Sequence, residues 1–539
     1  MANKHLLKHN HVGLIFIAVA AILFLSQFGG QMANVARLWM ISGEAKLSVQ
    51  SPTAPASCAY WVAPAPDGSD SNPGTADKPW ATLEHASASV PDNNCTVWFK
   101  DGTYSGRNNP KERFSTVTTF KAVNPYRVTL ENNGPVIELD GVRNVVFEGF
   151  QLRHTGPGAS DYVVVMDRRD DVWSEYVTFR NNIFHDSYNN DLLKIHNGSR
   201  FVTVEGNIFF NQGESEQHMD VNSVTDVVIQ DNIFFNDFAG SGRTNLNNTK
   251  HFIVVKDSND NSDGLEGARR ITIQRNIFLN WEGLEETFVQ IGNDGKPYYE
   301  AQDVRLVNNL MIGNTLNQNN AAFGVRGAKN VTFANNTVVG NLPAKAYAFW
   351  VNITEKNPLN QNIYFYNNIW SDPTGTMGAD LSGGSNRFAS GDPAATNNLV
   401  LDNNLYWNGG AAIPSGDPIS PLVDDARRVV ADPELNTDQS AVVLPRWQGT
   451  AFLSGNTTIR QEFERLVNDY GRIPATSPAI GQADPAHAST YDILGRVRGS
   501  TADLGAYEYD FVTLDEHQYL PLIRSLFDRV NELIERIVG

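Results

Sequence analysis

Cysteine is nearly missing from this chain of 539 residues, which carries only Cys58 and Cys95. That excludes a small disulfide-stapled fold and a cysteine-rich zinc module. Positive charge is also short: 42 Lys and Arg stand against 60 Asp and Glu, a formal net charge of −18. Nucleic acid and anionic membrane surfaces are therefore poor partners. No P-loop, zinc-ligand spacing or nucleophile elbow is present, which removes the chemistries those motifs carry. Long apolar runs are confined to Val12–Leu25, broken only by Gly13 and preceded by Lys4 and Lys8. This length suits the core of a signal peptide better than a membrane span of about 20 residues, although Phe28 and Met32 extend it. No small-x-small cleavage site follows closely, so a cleaved signal and a retained N-terminal anchor both stand for residues 1–36. Residues 37–57, including SVQSPTAPAS, read as a linker. Either way the bulk of the chain is expected outside the cytoplasm, secreted or held at the membrane. In an oxidising compartment Cys58 and Cys95, each beside a predicted strand (YWVAP and TVWF), are placed to bridge. Two buried thiols are the alternative.

What is abundant is one phrase. VTFRNNIF, VTVEGNIF, VVIQDNIF, ITIQRNIF, VRLVNNLM, VTFANNTV and IYFYNNIW align on Asn182, Asn207, Asn232, Asn276, Asn309, Asn336 and Asn368, with steps of 25, 25, 44, 33, 27 and 32 by subtraction. A unit of this length with alternating apolar residues cannot bury its apolar side alone, and stacked copies make a continuous core. Val, Ile, Thr and Phe at period two favour a parallel β-helix over a helical repeat. The repeated Asn is expected at a bend, since Asn tolerates left-handed backbone angles, with its side chains laddered up the stack. The β-helix is assigned to residues 58–424, an irregular extension to 425–510 and an amphipathic helix to 511–539. That last stretch carries the stripe Leu520, Ile523, Phe527, Val530, Ile534 and Ile537.

Both ends of the repeat carry a resemblance. YWVAPAPDGSDSNPGTADKPWATLEHA, running from Tyr60 into a predicted helix, and SPAIGQADPAHASTYDILGRVRGSTADLGAYEY, residues 477 to 509, resemble the opening and closing segments of the pectate-lyase-like superfamily. The resemblance implies an all-β, right-handed parallel β-helix whose N-terminal helix caps the open end. It implies architecture more than activity, because this fold hosts lyases, hydrolases, epimerases and plain binding proteins.

One strand per coil follows the Asn corner, and Met166, Ile195, Val221, Val255, Ile291, Val325 and Val351 align as its inward residues. Their neighbours then face outward: Lys194 with His196, Asp220 with Asn222, then Lys256, Gln290, Arg326 and Asn352, with His218 two positions before Asp220. Such a row suits a polysaccharide groove, while a structural Lys194–Asp220 ion pair on a solvated face is the plainer alternative. The resembling lyases act on uronic-acid polymers by β-elimination: a base takes the C5 proton, a cation neutralises the carboxylate, and the C4 oxygen departs. Here Lys194 is the leading base, His196 and His218 further catalytic candidates, and Asn222, Lys256, Gln290, Arg326 and Asn352 bind substrate. Calcium is expected at Glu214, Glu216 and Asp220, since a lysine base needs nearby positive charge to lower its pKa. Asn190, Asp191 and Lys194 are loosely similar to the Asp-before-Lys arrangement of some lyase families. The Asn-Thr-Asp, Asp-Asp and Gly-His-Gly set of the polygalacturonases is absent. KDSNDNSDG, residues 256–264, is a second acidic loop lacking the Glu that completes a helix-loop-helix calcium motif. The function read is an exported, calcium-assisted lyase of an acidic polysaccharide. A glycan-binding or adhesin-type β-helix, and a hydrolase or C5-epimerase, are the alternatives.

Overall fold

Each repeat folds as one coil of three short strands, typified by Glu175–Arg180, Ile183–His185 and Leu193–His196. Corresponding strands stack in register into three parallel sheets of twelve, twelve and nine strands, wound as a right-handed parallel β-helix. A computed structural model describes residues 58–509, apart from 214, 215, 244–248, 315, 316, 355, 417 and 418. The N-terminal apolar run, the linker and the C-terminal stripe lie outside the described residues. Among those described, no helix is long and apolar enough to cross a membrane.

Alternation sets what each sheet buries. In the first sheet Val177, Val202, Val227 and Ile271 pair in a column, all buried, while polar neighbours face out. In the second sheet Phe184, Phe209, Phe234 and Phe278 stack inward, with ring centroids 4.6, 4.9 and 5.1 Å apart. Its outer residues, Ile183, Ile208, Ile233 and Ile277, are buried as well. They are covered by the extension after Val429, whose helix Ile459–Leu466 contributes Ile459, Phe463 and Leu466 to the same cluster. That helix reaches back to Tyr126, whose hydroxyl lies 3.4 Å from the Ile459 backbone nitrogen. The extension therefore lies along the second sheet. Burial on both sides is why its strands read as unbroken IFF and IFL runs.

The repeated Asn forms the expected ladder, but it is not the bending residue. Positive φ falls one position earlier, at Asn181, Asp231, Arg275, Asn308, Asn335 and Asn367, with Gly206 in the same column. The ladder Asn turns inward. Each Oδ1 accepts from the backbone N–H and Nδ2 of the Asn one coil below, as Asn232 does from Asn207 at 2.9 and 3.0 Å. The ladder runs on to Asn404, where the Asp425 carboxylate closes it by accepting from the Asn404 backbone and side chain. The left-handed column has its own use: Asn308, Asn335, Asn367 and Asn403 hydrogen-bond the backbone of residues 482–505 and hold the closing segment down. Arg498 and Glu508, both fully buried, pair at 2.7 Å within that segment.

At the other end the helix Leu83–Ser89 starts at Thr82, whose hydroxyl accepts from the His85 N–H. Leu83 and Ala86 are buried in the core cluster. Cys58 and Cys95 form a disulfide with Cα atoms 4.5 Å apart, tying the first strand to the second.

Candidate functional site

The third sheet carries the clustered chemistry. Its inward column is the one read from the sequence: Met166, Ile195, Val221, Val255, Ile291, Val325 and Val351 are partners in successive strands. Lys194 and Asp220 are consequently direct neighbours on the outer side. Lys194 Nζ donates to Asp220 Oδ2 at 2.7 Å, and Lys256 Nζ lies 3.9 Å from the same oxygen. Two ammonium groups thus converge on one carboxylate that is only 2% exposed. Asp220 Oδ1 is buried without a hydrogen-bond partner.

Two further carboxylates stand in that field. Asp191 accepts from the Gln217 N–H at 2.9 Å, and its pKa is pushed up by burial and by Asp220 and Glu216, against the pull of Lys194. Glu216 is also raised, by burial first, with Asp220 adding to it and Lys250 and Lys256 opposing. Burial works against the Asp220 charge, but Lys256 and Lys194 hold its pKa below the ordinary carboxylate value. Burial would lower Lys194, yet Asp220 and Asp191 outweigh it and raise its pKa. In this arrangement Lys194 is a firmly held cation, the ion-paired alternative weighed above. Its ammonium lies 5.2 Å from the Tyr162 ring centre.

His196 sits in the next outward column, paired with Asn222, which pairs with Lys256. Its Nε2 is 3.1 Å from Asp167 Oδ2, close but too far off axis for an aligned hydrogen bond. Asp167 also accepts from Asn197 Nδ2 at 2.9 Å. Asp167 and Tyr162 were not singled out in the sequence. The strand VVVMD stands in the alignment through Met166, and its outward neighbour Asp167 was left out of the row, whereas Tyr162 precedes that strand and carries no pattern.

Other candidates are placed differently from expectation. His218 does not face outward: it is fully buried, 4.8 Å from Phe252, with Nε2 at 3.0 Å from Asn236 Oδ1, and burial lowers its pKa to about 3. At the bend leading into this sheet two successive residues turn inward, Leu192 with Leu193 and Phe252 with Ile253, and His218 holds the first of those places. Gln290 is closed off, since its amide donates to the Gly292 carbonyl and lies across Gly324, where a Cβ would meet it at 1.9 Å. Asn222 is held beneath the 257–267 loop by Ser258. Arg326 and Asn352 are half-buried on the same face. Arg326 is held loosely, 3.8 Å from Glu286 and 3.5 Å from Asn293.

Of the calcium candidates, Glu214 lies outside the described residues. Among those described, no group of three or more His, Cys, Asp or Glu is gathered ready to hold a metal. The second acidic loop spends its carboxylates on itself: Asp257 accepts from the Asn259 and Gly267 N–H groups, and Asp263 from Ser223, Asn259 and Leu265.

His251 gives this region a pH signature. It is fully buried with Nδ1 2.9 Å from the Thr287 carbonyl, and burial holds its pKa down to about 3. An unfolded histidine titrates near 6.5, so this site's stability is complete above that pH and is lost as pH falls toward 3. His251→Gln, matching Gln217 one coil below, should flatten the loss of urea-unfolding free energy between pH 7 and pH 4. An unchanged slope would show that His251 does not contribute.

No family model and no curated protein matches the chain. Among solved structures it is similar to a pectate lyase at 14% identity, covering 84% of this chain and 96% of that one with a TM-score of 0.48. It is similar to an alginate lyase from a Paenibacillus species at 13%, covering 63% and 93% with a TM-score of 0.36. It is similar too to a surface adhesin of Streptococcus pneumoniae at 16%, covering 51% and 78% with a TM-score of 0.35. These likenesses do not decide an activity; the chain's own three stacked parallel sheets make it a right-handed parallel β-helix protein.

Proposed function

We propose that this is an exported polysaccharide-active protein that cleaves an acidic, uronic-acid glycan by β-elimination on the outer face of the third sheet. The observation that carries it is the convergence of Lys194 and Lys256 on the buried Asp220 carboxylate, with His196 in the adjoining column. Charge is costly to bury, and a β-helix has no structural need to bring two lysines and a buried carboxylate together across three successive coils of one sheet. In this reading Lys194 is the C5 base, Lys256 and Arg326 are clamps for substrate carboxylates, and His196 serves the departing oxygen. Arg326 suits a paired contact to a carboxylate because its guanidinium is not saturated. The disulfide supports an oxidising, extracytoplasmic location.

Glu216 and Asp220, the described members of the expected set, offer oxygen donors only, and Asp220 Oδ1 has no partner, which fits a hard cation such as calcium in chemistry, with the remaining ligands to come from outside these two carboxylates. Bound there, it would supply positive charge that frees Lys194 from its pairing. Titration of chelated protein with calcium by calorimetry should show binding that Asp220→Ala removes. No binding, or binding indifferent to that substitution, would take the cation out of the proposal.

Asp191, whose pKa burial pushes up, next to Asp220, whose pKa Lys256 and Lys194 hold down, favours a second reading, hydrolysis by a carboxylate pair. One assay separates the two. Acidic polysaccharides incubated with and without calcium should yield the ultraviolet band of unsaturated uronides. New reducing ends without that band would mean hydrolysis, and neither would leave a binding protein.

A further inference from the structure

We propose that the corner of the first sheet around Tyr176 and Phe201 is a second binding patch for an acidic polysaccharide; this rests on the reading that the protein's ligand is an acidic glycan. From the strand Arg143–Glu148 onward, the second or third residue of each first-sheet strand takes a left-handed φ. The column holds Asn144, Asp226, Arg270, Asp303, Asn330, Asn362 and Asn398, and two bulky aromatics, Tyr176 at φ 56° and Phe201 at φ 54°. Left-handed angles strain a bulky side chain, and nothing in the core is gained in return, since the two rings are 44% and 41% exposed. They stack on each other with centroids 4.8 Å apart.

Guanidinium groups frame the pair. Arg143 lies 5.5 Å from the Tyr176 ring, and Arg200 lies 6.0 Å from Phe201 and 4.5 Å from Trp173. Arg113, Arg143 and Arg200 all share the single buried carboxylate of Glu175, at 2.6, 3.6 and 2.9 Å. Three cations on one anion leave excess positive charge on a chain whose net charge is −18. The next carboxylate up the column, Asp226, is already taken by both nitrogens of Arg270 at 2.7 Å. Two part-exposed rings and two half-exposed guanidinium forks suit the apolar side and the carboxylates of a uronate chain. The patch lies on the coils of Asp167 and His196, one turn of chain beyond the third sheet. A long polymer held there stays beside the cleavage face.

The test uses the whole protein with polygalacturonate and alginate as probes and a neutral glucan as control, read by affinity electrophoresis. Tyr176→Asn with Phe201→Asn restores the residue type common in the column, so these variants should unfold at the same or a higher denaturant concentration than wild type. They should bind the retained acidic polymer at least about fivefold more weakly. Arg143→Gln with Arg200→Gln should do likewise, and turnover of short oligomers should persist in both. Wild-type affinity in both pairs overturns the patch while leaving the cleavage proposal standing. Loss of self-association in size-exclusion chromatography with affinity unchanged would assign the surface to a second copy and also overturn it. A wild type that binds neither acidic polymer removes this patch and the proposed function together.

Discussion

Replacing Asn232 by alanine should cost about 4 kcal/mol of folding stability, because the Asn207 N–H and the Val204 carbonyl lose a buried partner and the Asn207 Nδ2 loses one of two, keeping the Phe179 carbonyl, at about 1–3 kcal/mol each. The Asn232 Oδ1 accepts from the Asn207 N–H and Nδ2, and its own Nδ2 donates to the Val204 carbonyl at 2.9 Å. None of these groups reaches water, since Asn207 and Asn232 are fully buried. Asn276 loses less, for its Oδ1 still accepts the Asn232 backbone N–H at 3.1 Å. The damage is therefore directional, falling on the coil below. Hydrogen exchange should show the Asn207 amide opening first, and urea titration should give the loss in free energy. A loss under about 1 kcal/mol would mean that the ladder sets register without bearing stability.

That ladder was legible because a side chain repeated at every coil has one steric solution when coils stack. The φ assignment was not: VTFRNNIF offers two adjacent Asn, and only the Gly, Asp and Arg standing before the later copies, at Gly206, Asp231 and Arg275, mark which position bends. Alternation likewise fixed the outward side of Lys194 and Asp220, since the apolar column from Met166 to Val351 leaves one register. It failed for His218, where alternation itself stops. Leu192–Leu193, Phe252–Ile253 and Phe288–Val289 are consecutive buried pairs, a doublet visible in the sequence that would have sent His218 inward. Packing by later chain was the least legible. Nothing in residues 429–509 announces that they lie along the Ile183–Ile277 column, except that IFF strands with no polar partner require a cover.

Lys194→Met should lower turnover by about 10²–10⁴-fold if Lys194 is the base that takes the C5 proton, with glycan binding retained through Lys256 and Arg326. The substitution also touches structure, so stability must be read beside rate. Asp220 keeps Lys256 at 3.9 Å after the change, which softens the cost of about 3–5 kcal/mol that stripping one partner from a buried pair otherwise brings. Asp220→Leu leaves Lys194 without its ion-pair partner and Lys256 with Asp294 alone at 3.4 Å, and should be the less stable single variant. Combining Lys194→Met with Asp220→Leu removes both members of the shortest contact and should recover part of that loss, because an apolar pair of similar volume replaces a buried ion pair. Turnover separates the roles. If Lys194 does chemistry, Lys194→Met is inert while its stability and glycan binding persist. If the pair is only a structural tie, near-normal turnover in Lys194→Met alone would remove Lys194 from the mechanism; the double variant reports stability only, because it also takes away Asp220, the proposed cation ligand.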